Sequence, residues 1–308
     1  MSEFAHKPVL LAEVLEALRP QAGGRYADGT VGGGGHAAAM LAASSPSGWL
    51  WGCDRDGIAL EAAQRQLAPF AGRWELRQGD FGELAAWVPP GSCDGVLLDL
   101  GVSSPQLDAA ERGFSFQQDG PLDMRMDRRQ QLTAADLVNG AAVEELAKWF
   151  WEWGGERDAR RLARGIARER EHSRLESTVQ LAGLIERLAP RHGQRAHPAT
   201  RVFQALRIAV NDELGCLERG LPETLKLLRS GGRLAVISFH SAEDRVVKAF
   251  ARAGARDYTF TGADVPELRR PRAPELRLVS RRAVRPGPAE LAANPRSRSA
   301  QLRVMEKT

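Results

Sequence analysis

The chain has 308 residues, 43% hydrophobic and 27% charged, enough for two domains or for one large domain carrying an insertion. No run approaches 18 uninterrupted apolar residues, and no basic start leads into an apolar stretch and cleavage site, so neither membrane spanning nor secretion is expected. The net charge of +4 is mild, and the scattered Cys53, Cys93 and Cys216 form no CxxC pair, which argues against a disulfide framework or zinc site and for a cytoplasmic protein.

Residues 8–18 carry Val9, Leu10, Val14 and Leu18 at helical spacing and predict the first helix. Residues 25–28 read as a short strand entering a glycine-rich turn, with an alanine-rich helix over about 36–43. Residues 49–53 are the next strand, 58–70 the next helix and 74–77 a third strand. The run GVLLDL at 95–100 is apolar enough for a strand buried in a parallel sheet. Repeated strand–helix units predict an α/β fold with an open, doubly wound sheet.

The alternation then stops until RLAVISF at 233–239, the next convincing buried strand. Between them only helical periodicity is visible, in segments 143–153, 156–171, 178–188 and 198–212. A connection between adjacent strands normally needs one helix and short loops. We therefore expect an inserted all-helical domain over 105–212, between core segments 1–104 and 213–308. Pro- and Arg-rich connections follow residue 250, and a closing strand is expected near 299–305.

The mild net charge conceals a partition. Residues 157–210 hold 12 Arg or Lys against 5 Asp or Glu, and residues 269–308 hold 11 against 3. Nearly all of these cations are arginine, which pairs bidentately with phosphate. A solvated helix face with a basic tail would account for the charge alone; a polyanionic partner is the sharper reading. Trp149, Phe150, Trp151 and Trp153 are expected to serve helix packing, and His197 and His240 structural roles.

Chemistry concentrates at the strand ends. The loop Asp28-Gly29-Thr30-Val31-Gly32-Gly33-Gly34-Gly35-His36 follows the first strand, where glycines admit a ligand close to the backbone and the next helix offers free N–H groups. Asp54 ends the second strand, placed to accept hydrogen bonds from ribose hydroxyls. Gly32, Gly34 and Ala37 also satisfy GxGxxA, so the loop suits either a nicotinamide dinucleotide or S-adenosylmethionine. Asp80 and Phe81 follow the third strand and can bracket an adenine, or merely cap and pack. Asp99 ends a buried strand and needs partners there. Ligands of open α/β sheets lie at the carboxyl ends of the strands, so these residues should converge with Ser238-Phe239-His240.

Several longer blocks resemble the MraW family of ribosomal RNA small subunit methyltransferases. They include Asp28-Gly29-Thr30-x-Gly32-x-Gly34-Gly35-His36, the stretch LLDLGVSSPQLD from Leu97, ERGFSF from Glu111 and GPLDMRMD from Gly120. HPATR from His197, ISFHS from Ile237 and NPRSRS from Asn294 complete the set, which runs from His6 nearly to the end. The resemblance implies a class I, Rossmann-like S-adenosylmethionine methyltransferase fold with an inserted helical domain. It also implies methyl transfer to the exocyclic 4-amino group of a cytidine in the decoding region of 16S rRNA, within the small ribosomal subunit. Carried over by position, the cofactor contacts are Gly34, Gly35, His36, Asp54, Phe81, Asp99 and Gln106.

The loop after Asp99 lacks the Pro-Pro-aromatic continuation of many amino-methyltransferases. Analogy with those enzymes therefore does not assign the group that holds the target amine; an acceptor such as the Asp99 carboxylate or a Ser103 oxygen could hold it and localise its lone pair. Arg160, Arg164 and Arg168, at three-to-four-residue spacing, are the candidate RNA contacts, and no metal is expected. A nicotinamide-dependent oxidoreductase would explain the glycine loop but not the arginine-rich insert. A non-catalytic RNA-binding assembly factor would explain the basic segments but not a crevice with both Asp54 and Asp99.

Overall fold

Along the apolar run that ends at Asp99, alternate side chains enter different layers: Val96 and Leu98 join one buried cluster and Leu97 another. That alternation is what a strand covered on both faces requires. The computed structural model describes residues 8–190 and 197–308. The chain divides into two compact units, the first running to Gly101 and resuming at Leu214, the second spanning Val102–Glu213.

The first unit begins with α1 (Leu11–Leu18), β1 (Arg25–Asp28), α2 (Gly35–Ala43), β2 (Trp49–Asp54), α3 (Gly57–Leu67), β3 (Trp74–Gln78) and β4 (Cys93–Asp99). The second unit holds α4 (Ser104–Asp108), α5 (Ala134–Gly140), α6 (Val143–Glu152), α7 (Ala159–Arg170), α8 (Thr178–Leu188) and α9 (Ala199–Asn211). The chain continues with α10 (Glu213–Leu227), β5 (Leu228–Ser238), α11 (Ser241–Gly254), β6 (Tyr258–Phe260), β7 (Arg269–Pro271), β8 (Leu276–Leu278), α12 (Pro288–Ala293) and β9 (Gln301–Lys307).

Seven strands form one sheet in the order β3-β2-β1-β4-β5-β9-β8, and β6 pairs with β7 apart from it. The first five run parallel, while β9 is antiparallel to both β5 and β8. On one face Val14, Leu18 and Met40 pack beneath Tyr26, Leu97 and Ile237. On the other, Leu217, Leu221 and Val247 cover Val96, Leu98 and Val236. The strand order reverses between β1 and β4, which is where such sheets open a ligand crevice.

The second unit has its own apolar centre, in which Phe150, Leu162, Ile166, Ile185, Val202 and Leu206 are buried. Asn211 ties the irregular segment before α5 to α9: its Oδ1 accepts from the Met126 N–H (2.8 Å) and its Nδ2 donates to the Met124 carbonyl (2.8 Å).

Three features depart from the sequence expectations. The strand expected at 233–239 starts at Leu228, because β4 pairs with β5 on either side of an irregularity at Ser230-Gly231-Gly232. The elements α4, α5, β6, β7, β8 and α12 are too short to show a period, at seven residues or fewer. Trp151 is 61% exposed, whereas Trp149 and Trp153 stack 6.0 Å apart against the helical core. The three cysteines are buried and form no disulfide, and no helix among the described residues is long and apolar enough to cross a membrane. Arg191 and Arg195 of the basic stretch, and His6, lie outside the described residues.

Candidate active site

Three parallel strands of the first unit each end in a carboxylate: Asp28 on β1, Asp54 on β2 and Asp99 on β4. Asp28 and Asp99 flank the point where the strand order reverses. Thr30 links them. The Asp28 Oδ1 accepts from the Thr30 N–H at 3.0 Å, and the Thr30 Oγ1 accepts from the Asp99 N–H at 2.6 Å.

Asp54 shapes the glycine loop. Its Oδ2 accepts from the Gly32 N–H (2.8 Å) and its Oδ1 from the Asp56 N–H (2.9 Å). The loop needs glycine on two counts. Gly34 has φ +89°, a region costly for other residues, and a Cβ at Gly35 would lie 2.5 Å from Pro8 Cγ. α2 then starts without a side-chain cap, leaving N–H groups of its first turn for a ligand.

His36, in that first turn, is buried, with Nε2 3.5 Å from Asp99 Oδ2. That separation is at the outer limit of a hydrogen bond, and the geometry leaves both ring nitrogens unpartnered. Asp28 Oδ2 and Asp99 Oδ1 are likewise buried without partners. A buried polar atom without a partner costs about 1–3 kcal/mol, so four at one place mark a site built for a ligand.

The electrostatics agree. Burial pushes the Asp28 carboxyl up to about 7, against His36 and the Thr30 N–H, which pull it down. Burial likewise raises Asp54 to about 6, in spite of the N–H groups of Asp56 and Gly32. Burial alone would lower His36, but Asp99 and Asp28 outweigh it and its pKa rises. Burial thus favours the neutral form of both carboxyls, and a cationic ligand would favour their ionised forms.

Phe81 opens a short 3-10 turn whose start Asp80 caps, its Oδ1 accepting from the Gly82 N–H at 2.7 Å. Asp80 also pairs with Arg55, so its carboxylate is already engaged. The Phe81 ring fills the space left by a missing side chain at Gly220, where a Cβ would lie 2.2 Å from Cε2. A Cβ at Gly29 would lie 2.5 Å from Phe81 Cβ, so Phe81 sits against the start of the glycine loop.

Gly34, Gly35, His36, Asp54, Phe81 and Asp99 are therefore gathered around one sheet end. Ser103 and Gln106 belong to the second unit, where they cap α4 reciprocally: the Gln106 N–H donates to Ser103 Oγ (3.4 Å) and the Ser103 N–H to Gln106 Oε1 (2.9 Å). Arg160, Arg164 and Arg168 are exposed on α7 and make no ion pair among the described residues. Arg164 and Arg168 line a hollow of about 370 Å³ with Val143, Arg161 and Ala167. His197 and His240 accept backbone N–H groups at the starts of α9 and α11.

Sequence reasoning placed Asp28 and Thr30 in the glycine loop but gave neither side chain a role of its own. The signal was available, since Asp28 ends a buried strand just as Asp99 does.

Residues 3–308 match the MraW methylase family. The chain belongs to that family. The methylase is 52% identical to the ribosomal RNA small subunit methyltransferase H of Geobacter sulfurreducens, over 99% of both chains. It is also 52% identical to the enzyme of that name from Syntrophotalea carbinolica, over 99% of this chain and 98% of that one. Among solved structures it resembles an rRNA methylase from Streptococcus thermophilus at TM-score 0.46 and 11% identity, covering 98% of this chain and 99% of that one. A likeness so distant says nothing about reaction or substrate. Membership of a methylase family sets aside the dinucleotide reading of the glycine loop.

Proposed function

We propose that the methylase transfers a methyl group from S-adenosylmethionine to the exocyclic 4-amino nitrogen of a cytidine in the decoding region of 16S rRNA. The observation that carries the reading is the convergence of Asp28, Asp54, Asp99 and His36, with four unpartnered buried polar atoms, on the switch point of the sheet. The names of the full-length relatives support a small-subunit rRNA substrate. When bound, S-adenosylmethionine supplies a methyl group already activated as a sulfonium.

The protein's task is then alignment. The cytosine amine is a weak nucleophile, because its lone pair is delocalised into the ring. Holding donor and acceptor in line can lower the barrier by about 7–11 kcal/mol in favourable cases. Gly34, Gly35 and His36 would hold the donor through the glycine loop and the start of α2, Asp54 would accept from its ribose hydroxyls, and Phe81 would offer an apolar surface to its adenine. Asp99, or Ser103 in its place, accepts a hydrogen bond from the target amine and so localises its lone pair. The alkylated amine is acidic enough to lose its proton to water. Gln106 completes the donor contacts, and Arg160, Arg164 and Arg168 meet RNA phosphates. The protein works in the cytoplasm, where its substrate is assembled.

Mass spectrometry of 16S rRNA from cells with and without the protein tests the proposal. An N4-methylated cytidine that persists in cells lacking it would overturn the assignment.

A further inference from the structure

Beyond the crevice, the first unit carries a strongly basic cleft of about 520 Å³, a volume within the usual range for ligand sites. Lys248 and Arg252 on α11, Arg281, Arg282 and Arg285 after β8, and Arg303 on β9 line it, over an apolar floor that includes Leu278 and Met305. Asp244 neutralises only part of this charge, meeting Arg303 at 2.6 Å and Lys248 at 3.9 Å. Arg252, Arg281 and Arg282 are exposed and have no acidic partner among the described residues, and Arg285 reaches the Gln301 amide oxygen at 3.4 Å. Guanidinium groups crowded without counter-charge repel one another, so the arrangement gains most from a ligand that carries several negative charges.

The cleft's place in the fold selects the ligand. Gln301, at its edge, pairs with Ser238 at the carboxyl end of β5, the strand beside β4. β9 thus starts two strands from the end of β4 that carries Asp99, on the order of 10 Å at the usual strand spacing. α11 leaves that same sheet end directly after β5. Gln301 marks the end of the cleft nearest the crevice, while Arg303, Lys248 and Arg252 lie further along β9 and α11, so a chain of phosphates in the cleft leads away from the crevice.

We propose that this cleft binds the phosphodiester backbone of RNA next to the target nucleotide, as a second contact separate from the arginines of α7. The inference rests on the RNA-substrate reading above. Five of the six cations are arginine, whose planar fork meets phosphate oxygens bidentately. Such contacts set register and orientation without reading sequence.

The test compares the wild-type protein with the triple variant Arg252→Gln, Arg281→Gln and Arg282→Gln, using a 16S rRNA transcript and isolated small subunits across a salt titration. None of the three side chains holds the fold together, so melting temperature and S-adenosylmethionine affinity should match wild type. RNA affinity should fall at least tenfold at low salt. The slope of log K against log salt should shrink by about 2, at roughly 0.7 per lost phosphate contact on a single strand. An unchanged slope, with wild type binding RNA normally, would overturn the cleft's role and leave the RNA reading standing. A variant that loses affinity only for inorganic phosphate would make the cleft a small-anion site and overturn it too. Wild type that binds neither probe would remove the RNA reading itself, and the cleft proposal with it.

Discussion

His36 and Asp99 follow the neighbouring strands β1 and β4 by different routes, yet their side chains meet inside the crevice, Nε2 to Oδ2 at 3.5 Å. The imidazole rises from the first turn of α2 and the carboxylate from the end of β4. Neither finds a well-aligned hydrogen bond in the other, which leaves polar atoms of both for a ligand.

Asp99→Asn should separate chemistry from binding. Asparagine keeps the size and one acceptor oxygen but loses the charge that would offset a developing positive amine. Single-turnover methyl transfer is expected to slow by about 10²-fold at saturating donor, the range for removing a preorganised electrostatic group. If the rate returns to wild type once S-adenosylmethionine saturates, Asp99 serves the donor alone.

Asp54→Ala should weaken donor binding by about 1.5–3 kcal/mol, typical of hydrogen bonds to a charged group. It also frees the Gly32 N–H, so the loop loses its anchor as well as the ribose acceptor. Calorimetry on the folded variant provides the measurement; unaltered affinity would make Asp54 a support for the loop and nothing more.

Asp28 should make stability depend on pH. An acid with a raised folded pKa binds more protons folded than unfolded, here between about pH 4 and its value of about 7. Stability without ligand therefore falls as pH rises through that window, by about 1.4 kcal/mol per unit at most. Asp28→Asn removes the titration, so its melting temperature relative to wild type should climb between pH 4.5 and 8. A constant difference across that range would show that Asp28 titrates outside it.

Gly220→Ala should be harmful although alanine favours helices. The added Cβ drives into the Phe81 ring, and overpacking of this kind costs about 1–3 kcal/mol. We expect a lower melting temperature together with weaker S-adenosylmethionine binding, the first of them eased by adding Phe81→Leu. A stabilised Gly220→Ala protein with intact donor affinity would contradict the packing described here.

Replacing Arg160, Arg164 and Arg168 with glutamine should weaken RNA binding and flatten its salt dependence while donor affinity stays put. Filter binding at several salt concentrations decides it. Equal slopes for variant and wild type would mean that the basic face of α7 is only solvated.

Local pattern alone was enough for much of this. The strand ending at Asp99 was legible as a continuous apolar run, the one ending at Asp28 by the glycine-rich turn it enters, and the helices from Val143 to Asn211 because their buried faces recur with the helical period. These signals need only neighbours in sequence, as do the glycine loop and the arginine-rich stretches. Tertiary structure decided what depends on residues far apart in the chain. Asp28 became a site residue because His36, Asp54 and Asp99 surround it and burial raises its pKa. Phe81 found its place through a missing side chain at Gly220. The basic cleft exists because β9 runs antiparallel beside β5 and brings Arg303 next to α11 and the segment after β8. No periodicity encodes such meetings, since they follow from the order in which strands pair and from the space their side chains leave.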